Sequence, residues 1–176
     1  SPRLNRPEQL EPVALYYWAF DEGMADTAYD NLHHVALTPI KQWVYSPFNL
    51  GVRIEHPGDP QGQLPQALNN QDVSLSLWWR NSSYPNETRG DVILRDANGQ
   101  GILGLVLGTY GLGIYFNGNR WYPVDKPIND GDWHQAVLVY NSYTYHLLLY
   151  LDGRLYWQGE NTWLTNSLAS VSVGQE

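Results

Sequence analysis

The sequence predicts an all-β protein folded as a sandwich of two antiparallel sheets. Short runs rich in Val, Leu, Ile, Tyr and Trp recur along the chain, separated every dozen or so residues by clusters of Gly, Pro, Asn and Asp. No stretch repeats apolar residues at helical spacing. A third observation locates the centre of the fold. Ile128 to Gly153 reads as a turn, a strand, a short turn and a second strand, the second apolar on both faces as in a sheet covered on both sides.

Taken in order, residues 1–12 carry three prolines and no period, so they are expected to form an extended arm, with a single domain over residues 13–176. Val13 to Phe20 alternates as a strand and stops at Asp21-Glu22-Gly23, after which a loop gathers Asp21, Glu22, Asp26 and Asp30. One or two brief strands are expected between Val35 and Ile54. Residues 56–70 are rich in Pro, Gly, Gln and Asn and read as a loop with at most one helical turn near Ala67.

Val73 to Trp79 alternates cleanly, with Val73, Leu75, Leu77 and Trp79 facing a core. Strands follow at Asp91 to Arg95 and Ile102 to Thr109, the second studded with Gly104 and Gly108, where a strand glycine marks a bulge or a close approach. Leu112 to Phe116 pairs with Arg120 to Val124 across Asn117-Gly118-Asn119, a strong hairpin signal. Trp133 to Tyr140 and Tyr145 to Leu151 are the two central strands, and Asp152-Gly153 turns the chain into Leu155 to Trp157. Ser170 to Val173 is the last.

Composition narrows the function. The 176 residues suffice for one sizeable core, and 43% hydrophobic against 16% charged residues describes a globular chain. Eight Trp, thirteen Tyr and three Phe exceed ordinary core needs, so some rings are expected on a surface. A net charge of −8 with no Lys/Arg cluster argues against nucleic acid as partner. No apolar run reaches the roughly 18 residues of a membrane-spanning helix, so no membrane insertion is expected. The absence of cysteine excludes disulfides, thiolate metal sites and thiol catalysis. Asn81-Ser-Ser and Asn86-Glu-Thr are two glycosylation sequons in one polar loop.

The central segment D-G-D-W-H-Q-A-V-L-V-Y followed by L-L-L-Y-L-D-G resembles the paired central strands of laminin-G-like and pentraxin-like domains in the concanavalin A-like lectin/glucanase superfamily. V-A-L-Y-Y-W-A-F-D-E-G-M-A-D-T-A-Y-D (13–30) resembles that family's opening strand and loop, and V-S-L-S-L-W-W-R (73–80) a further strand. The resemblance implies a jelly-roll sandwich and an extracellular or cell-surface location. Relatives usually continue past the strand resembling S-V-S-V-G, whereas this chain stops at Glu176. A missing last strand would then come from the arm, from another subunit by strand addition or, in a trimmed chain, from the removed part.

The same resemblance places a possible Ca²⁺ site at the sandwich rim, with Asp21 and Asp30 as ligands; the alternative is a solvated acidic loop. Trp78, Tyr115, Trp121, Tyr122 and Trp157 are candidate ligand-binding rings, against core packing as the plainer use. A glycosidase needs two carboxylates facing one cleft, and neither an E-x-D-x-E strand nor G-x-S-x-G occurs, so no catalysis is expected. His134 and His146 read as satisfied sheet residues. The expected function is a non-catalytic adhesion or surface-assembly module that contacts copies of itself or another surface protein through its arm and open edge. The alternative is a calcium-dependent carbohydrate-binding domain that takes glycans.

Overall fold

The computed structural model describes residues 16–20, 22–46, 49–53, 60–80, 90–108, 111–123, 128, 130–160 and 162–174. The expected arm, Asp21 and both sequons lie outside them. The described strands are β1 (Ala28–Tyr29), β2 (Ala36–Leu37), β3 (Trp43–Ser46), β4 (Asn49–Val52), β5 (Gln61–Leu68), β6 (Val73–Arg80) and β7 (Gly90–Arg95). They continue with β8 (Gly101–Gly108), β9 (Gly111–Phe116), β10 (Asn119–Trp121), β11 (Trp133–Asn141), β12 (His146–Leu151), β13 (Arg154–Gly159) and β14 (Leu168–Gly174).

A six-stranded sheet runs β10-β9-β8-β7-β14-β5 and a four-stranded sheet runs β13-β12-β11-β6, every pair antiparallel. Two-stranded ribbons β1-β2 and β3-β4 flank them. The two central strands pair as their sequence implies: Ala136 faces Leu151 and Tyr140 faces Leu147.

Alternation along these strands builds the core. Val92, Leu94, Leu105 and Ile114 from one sheet meet Leu75, Leu77, Ala136, Leu138, Leu147 and Leu149 from the other in a single cluster. Leu105, Ile114, Ala136, Leu138 and Leu149 are fully buried. The β9–β10 and β12–β13 turns form because Asn117-Gly118 and Asp152-Gly153 all take positive φ, which an ordinary two-residue hairpin demands and those residue types tolerate.

Two expectations are corrected. Residues 61–68 form a full strand rather than a loop. Gly62 and Leu64 point inward and Gln61 and Gln63 outward, and Pro65 is accommodated because β5 is an edge strand, with a free side that needs no amide donor. Strand β14 lies between β7 and β5 and pairs with both. Tyr16 to Phe20, expected within the opening strand, belong to no ladder; instead the Asn31 amide donates to Tyr17 O at 2.8 Å.

The six-stranded sheet also has a second buried cluster on its outer face, made of Ile93, Val106 and Tyr115, with Tyr122 packed against it. Glycines make this possible. A Cβ on Gly101 would enter the Tyr115 ring and one on Gly104 would lie 2.3 Å from Val92 O.

Candidate functional site

Residues singled out in the sequence fall in four places. Tyr115 and Tyr122 join the second cluster: Tyr115 is buried, and the Arg120 guanidinium lies over its ring, 5.4 Å from the centroid. Arg120 in turn pairs with buried Asp91 at 2.9 Å. Trp78 stands apart on the outer face of the four-stranded sheet, opposite Gln135 and 45% exposed. Asp30 is buried at the base of the acidic loop.

Trp121 and Trp157 are brought together. Trp121 ends β10 and Trp157 lies in β13, so the pair joins the adjoining edges of the two sheets. Their rings meet edge to face, with centroids 4.4 Å apart and planes at 86°. Gly159 leaves the space into which the Trp157 indole folds; a Cβ there would lie 2.1 Å from the ring. Trp121 stays 49% exposed. An indole buttressed on one side and open on the other is a preformed apolar platform.

Sequence reasoning missed a second aromatic corner on the same edge. Trp163 is 62% exposed and meets Tyr145 edge to face, with Tyr143 beside it in the β11–β12 turn. The loop that carries Trp163 is strapped down. Thr162 donates to Tyr145 O from both its amide and its hydroxyl, Asn117 Nδ2 donates to Trp163 O at 2.9 Å, and Asn117 Oδ1 accepts from Thr165. Asn166 then reaches buried Asp96 at 2.9 Å. Nothing in the local pattern T-W-L-T-N announces this, because each strap comes from a strand or turn distant in sequence.

The acidic loop is tied to backbone. Asp30 accepts the amides of Tyr17 and His33, the second at 2.5 Å, and Glu22 Oε1 accepts that of Tyr29 at 2.7 Å. Glu22 Oε2 is buried without a hydrogen-bond partner among the described residues. Among the described residues, no group of three or more His, Cys, Asp or Glu side chains is placed to hold a metal ion.

At the other end of the central strands His134 lies between Asp152, 2.8 Å from Nδ1, and Asp130, 2.9 Å from Nε2. Partial burial disfavours the imidazolium, but the hydrogen bonds and charges of the two carboxylates outweigh it and raise the His134 pKa above its ordinary value. His146 approaches Glu160 at 3.7 Å. His134 is thus satisfied, as expected, whereas His146 is half-exposed with Glu160 beyond hydrogen-bond distance.

A laminin G family model, described as the concanavalin A-like lectin/glucanases superfamily, matches residues 57–175. The chain belongs to this superfamily. Among solved structures, a β-glucanase of Bacillus licheniformis shares the superfamily sandwich over 92% of this chain and 84% of its own, at TM-score 0.51 and 10% identity. Sheep galectin-11 in complex with glycerol aligns over 68% of this chain and 92% of its own, at TM-score 0.46 and 10% identity. The full extracellular region of zebrafish Gpr126/Adgrg6 aligns over 73% of this chain at TM-score 0.46 and 9% identity, and this chain spans only 19% of its length. No curated protein sequence gives a match.

Within this superfamily sandwich, Asp91 is the sole carboxylate on a strand of either main sheet among the described residues. The Arg120 guanidinium pairs with it. No helix among the described residues is long and apolar enough to cross a membrane.

Proposed function

We propose that this domain is a non-catalytic extracellular recognition module whose ligand is a glycan. The observation that carries the reading is the Trp121–Trp157 pair, an exposed indole face held rigid at the joint of the two sheets. A pyranose presents an apolar face of C–H groups rimmed by hydroxyls, and a flat ring with open surroundings takes such a face without reorganising. The carboxylate pair that glycoside hydrolysis requires has no counterpart on the described strands, which supports binding without turnover.

A glycan array probed with the purified domain, with and without EDTA, tests this. Binding that falls about tenfold or more in Trp121→Ala, with an unchanged melting temperature, supports it. No binding across a broad array removes it. Loss of binding in EDTA assigns calcium a role; binding that persists dispenses with it.

A second reading, adhesion or assembly through protein contact, is favoured by the outer face of the four-stranded sheet. Val137, Val139, Leu148 and Tyr150 occupy positions on that face beside exposed Trp78, where a solvated antiparallel sheet normally carries polar residues. It predicts a mass in light scattering that rises with concentration and returns to the monomer in Val137→Lys.

A further inference from the structure

Exposed large hydrophobics are not scattered evenly. Among the described residues Trp121, Tyr143, Tyr145, Leu155 and Trp163 all lie along the edge where β10 and β13 meet, or at the end where that edge reaches the β9–β10 and β11–β12 turns. The two aromatic corners are therefore parts of one track. Trp157 sits two residues, about 7 Å, before the end of β13, after which the chain reaches Trp163. Asn117 binds the Trp163 backbone and stands just past the turn from Asn119, two residues before Trp121, so the two exposed indoles are separated by on the order of 10 Å.

Extending the glycan reading, we propose that this edge binds a linear, uncharged oligosaccharide along its length, with one sugar on Trp121 and another on Trp163, rather than a single terminal sugar. The separation leaves room for about one ring between the contacts. Between and around the indoles lie exposed groups suited to hydroxyls rather than to anions: the amides of Asn119 and Gln158 and the hydroxyls of Thr144 and Thr165. The charges bordering the track, Arg154 and Glu160, are of opposite sign and select neither an acidic nor a basic chain.

Rigidity supports the assignment. Straps at Thr162, Asn117 and Asn166 hold the Trp163 loop to three different elements, so little ordering remains for a ligand to impose. An exposed indole on an untethered loop would lack that advantage. Linked contacts on one rigid surface act together, the second benefiting from the first, so affinity should climb with chain length until both indoles are covered.

The test uses titration calorimetry on the intact chain with cello-, laminari- and chito-oligosaccharide ladders, from the monosaccharide to the hexasaccharide. Affinity in at least one ladder is expected to rise about tenfold or more between the shortest and longest members. Trp163→Ala should abolish that rise while leaving the weak binding of the shortest sugar, and Trp121→Ala should weaken all lengths. Melting temperatures of both variants, expected to match the parent, exclude a folding defect. Binding that is independent of length, or a rise that survives Trp163→Ala, overturns the extended track but spares the glycan reading. No binding by any ladder, together with a silent array, overturns both.

Discussion

His134 and Asp152 clamp the first central strand to the turn that ends the second: Nδ1 stands 2.8 Å from Asp152 Oδ2, while Asp152 Oδ1 accepts the Gln135 amide at 2.9 Å. Asp130 closes the other side of the ring. One imidazole thus joins the turn before β11, the start of β11 and the β12–β13 turn.

The clamp has a pH signature. The His134 pKa is raised, so its contribution is complete below the ordinary histidine value of about 6.5 and is lost as pH rises through the raised value. Asp130 is lowered chiefly by its hydrogen bond from His134; for Asp152 burial acts upward, and the bonds from His134 and the Gln135 amide outweigh it. Their contributions are complete above the ordinary carboxylate value of about 4 and are lost as pH falls through the lowered ones. The melting temperature should therefore decline as pH rises above about 6.5, and His134→Gln should flatten that limb. Parallel profiles for parent and variant would dispose of the idea.

Asp91 and Arg120 form a pair whose carboxylate is buried and whose guanidinium is partly covered. Arg120→Ala takes the guanidinium from a buried carboxylate beside the second cluster, and a cost of about 2–4 kcal/mol is expected. In a domain of this size that lowers the melting temperature by roughly 5–15 °C. Chemical denaturation should show a lower midpoint with an unchanged slope.

Gly104 is expected to tolerate no side chain. The added Cβ would lie 2.3 Å from Val92 O and 2.9 Å from Ile93 Cα, both backbone of the neighbouring strand. Gly104→Ala should cost about 3 kcal/mol or prevent folding. Gly99→Ala is the control: φ is +81° but the space around it is open, and a loss near 1 kcal/mol is expected.

Asp30→Ala deprives the Tyr17 and His33 amides of their acceptor and should lower stability by roughly 2–4 kcal/mol. If the loop also holds calcium, as the resemblance implies, millimolar calcium raises the melting temperature of the parent and not of Asp30→Asn. Equal curves in calcium and EDTA would leave Asp30 with its backbone role alone.

The central strands were legible because local chemistry and tertiary role agree there: alternation sets the faces of Trp133 to Tyr140, and Asp152-Gly153 fixes the turn. Strand β5 was hidden by Pro65 and Gly62, residues that argue against a central strand but suit an edge. Of the candidate rings, Trp121 and Trp157 were named from the sequence, but that they touch depends on how the two sheets stack. Trp163 escaped notice because its fixed position comes from Asn117 and Tyr145, distant along the chain. Tyr115 carries the same residue type as an exposed platform; only the Arg120 guanidinium above it reveals a buried use.

The ladder between β6 and β11 pairs Val73 with Tyr140 and Arg80 with Trp133, while the whole meander β7-β8-β9-β10 is threaded between the two strands in sequence. The consequence is kinetic. Hairpins β7–β8, β8–β9 and β9–β10 close short loops and can assemble early, whereas β6 must wait for β11 to emerge and return. Docking of such distant strands, β6 on β11 and β14 between β7 and β5, should therefore limit the rate, placing folding in the millisecond-to-second regime of sandwiches dominated by non-local pairing.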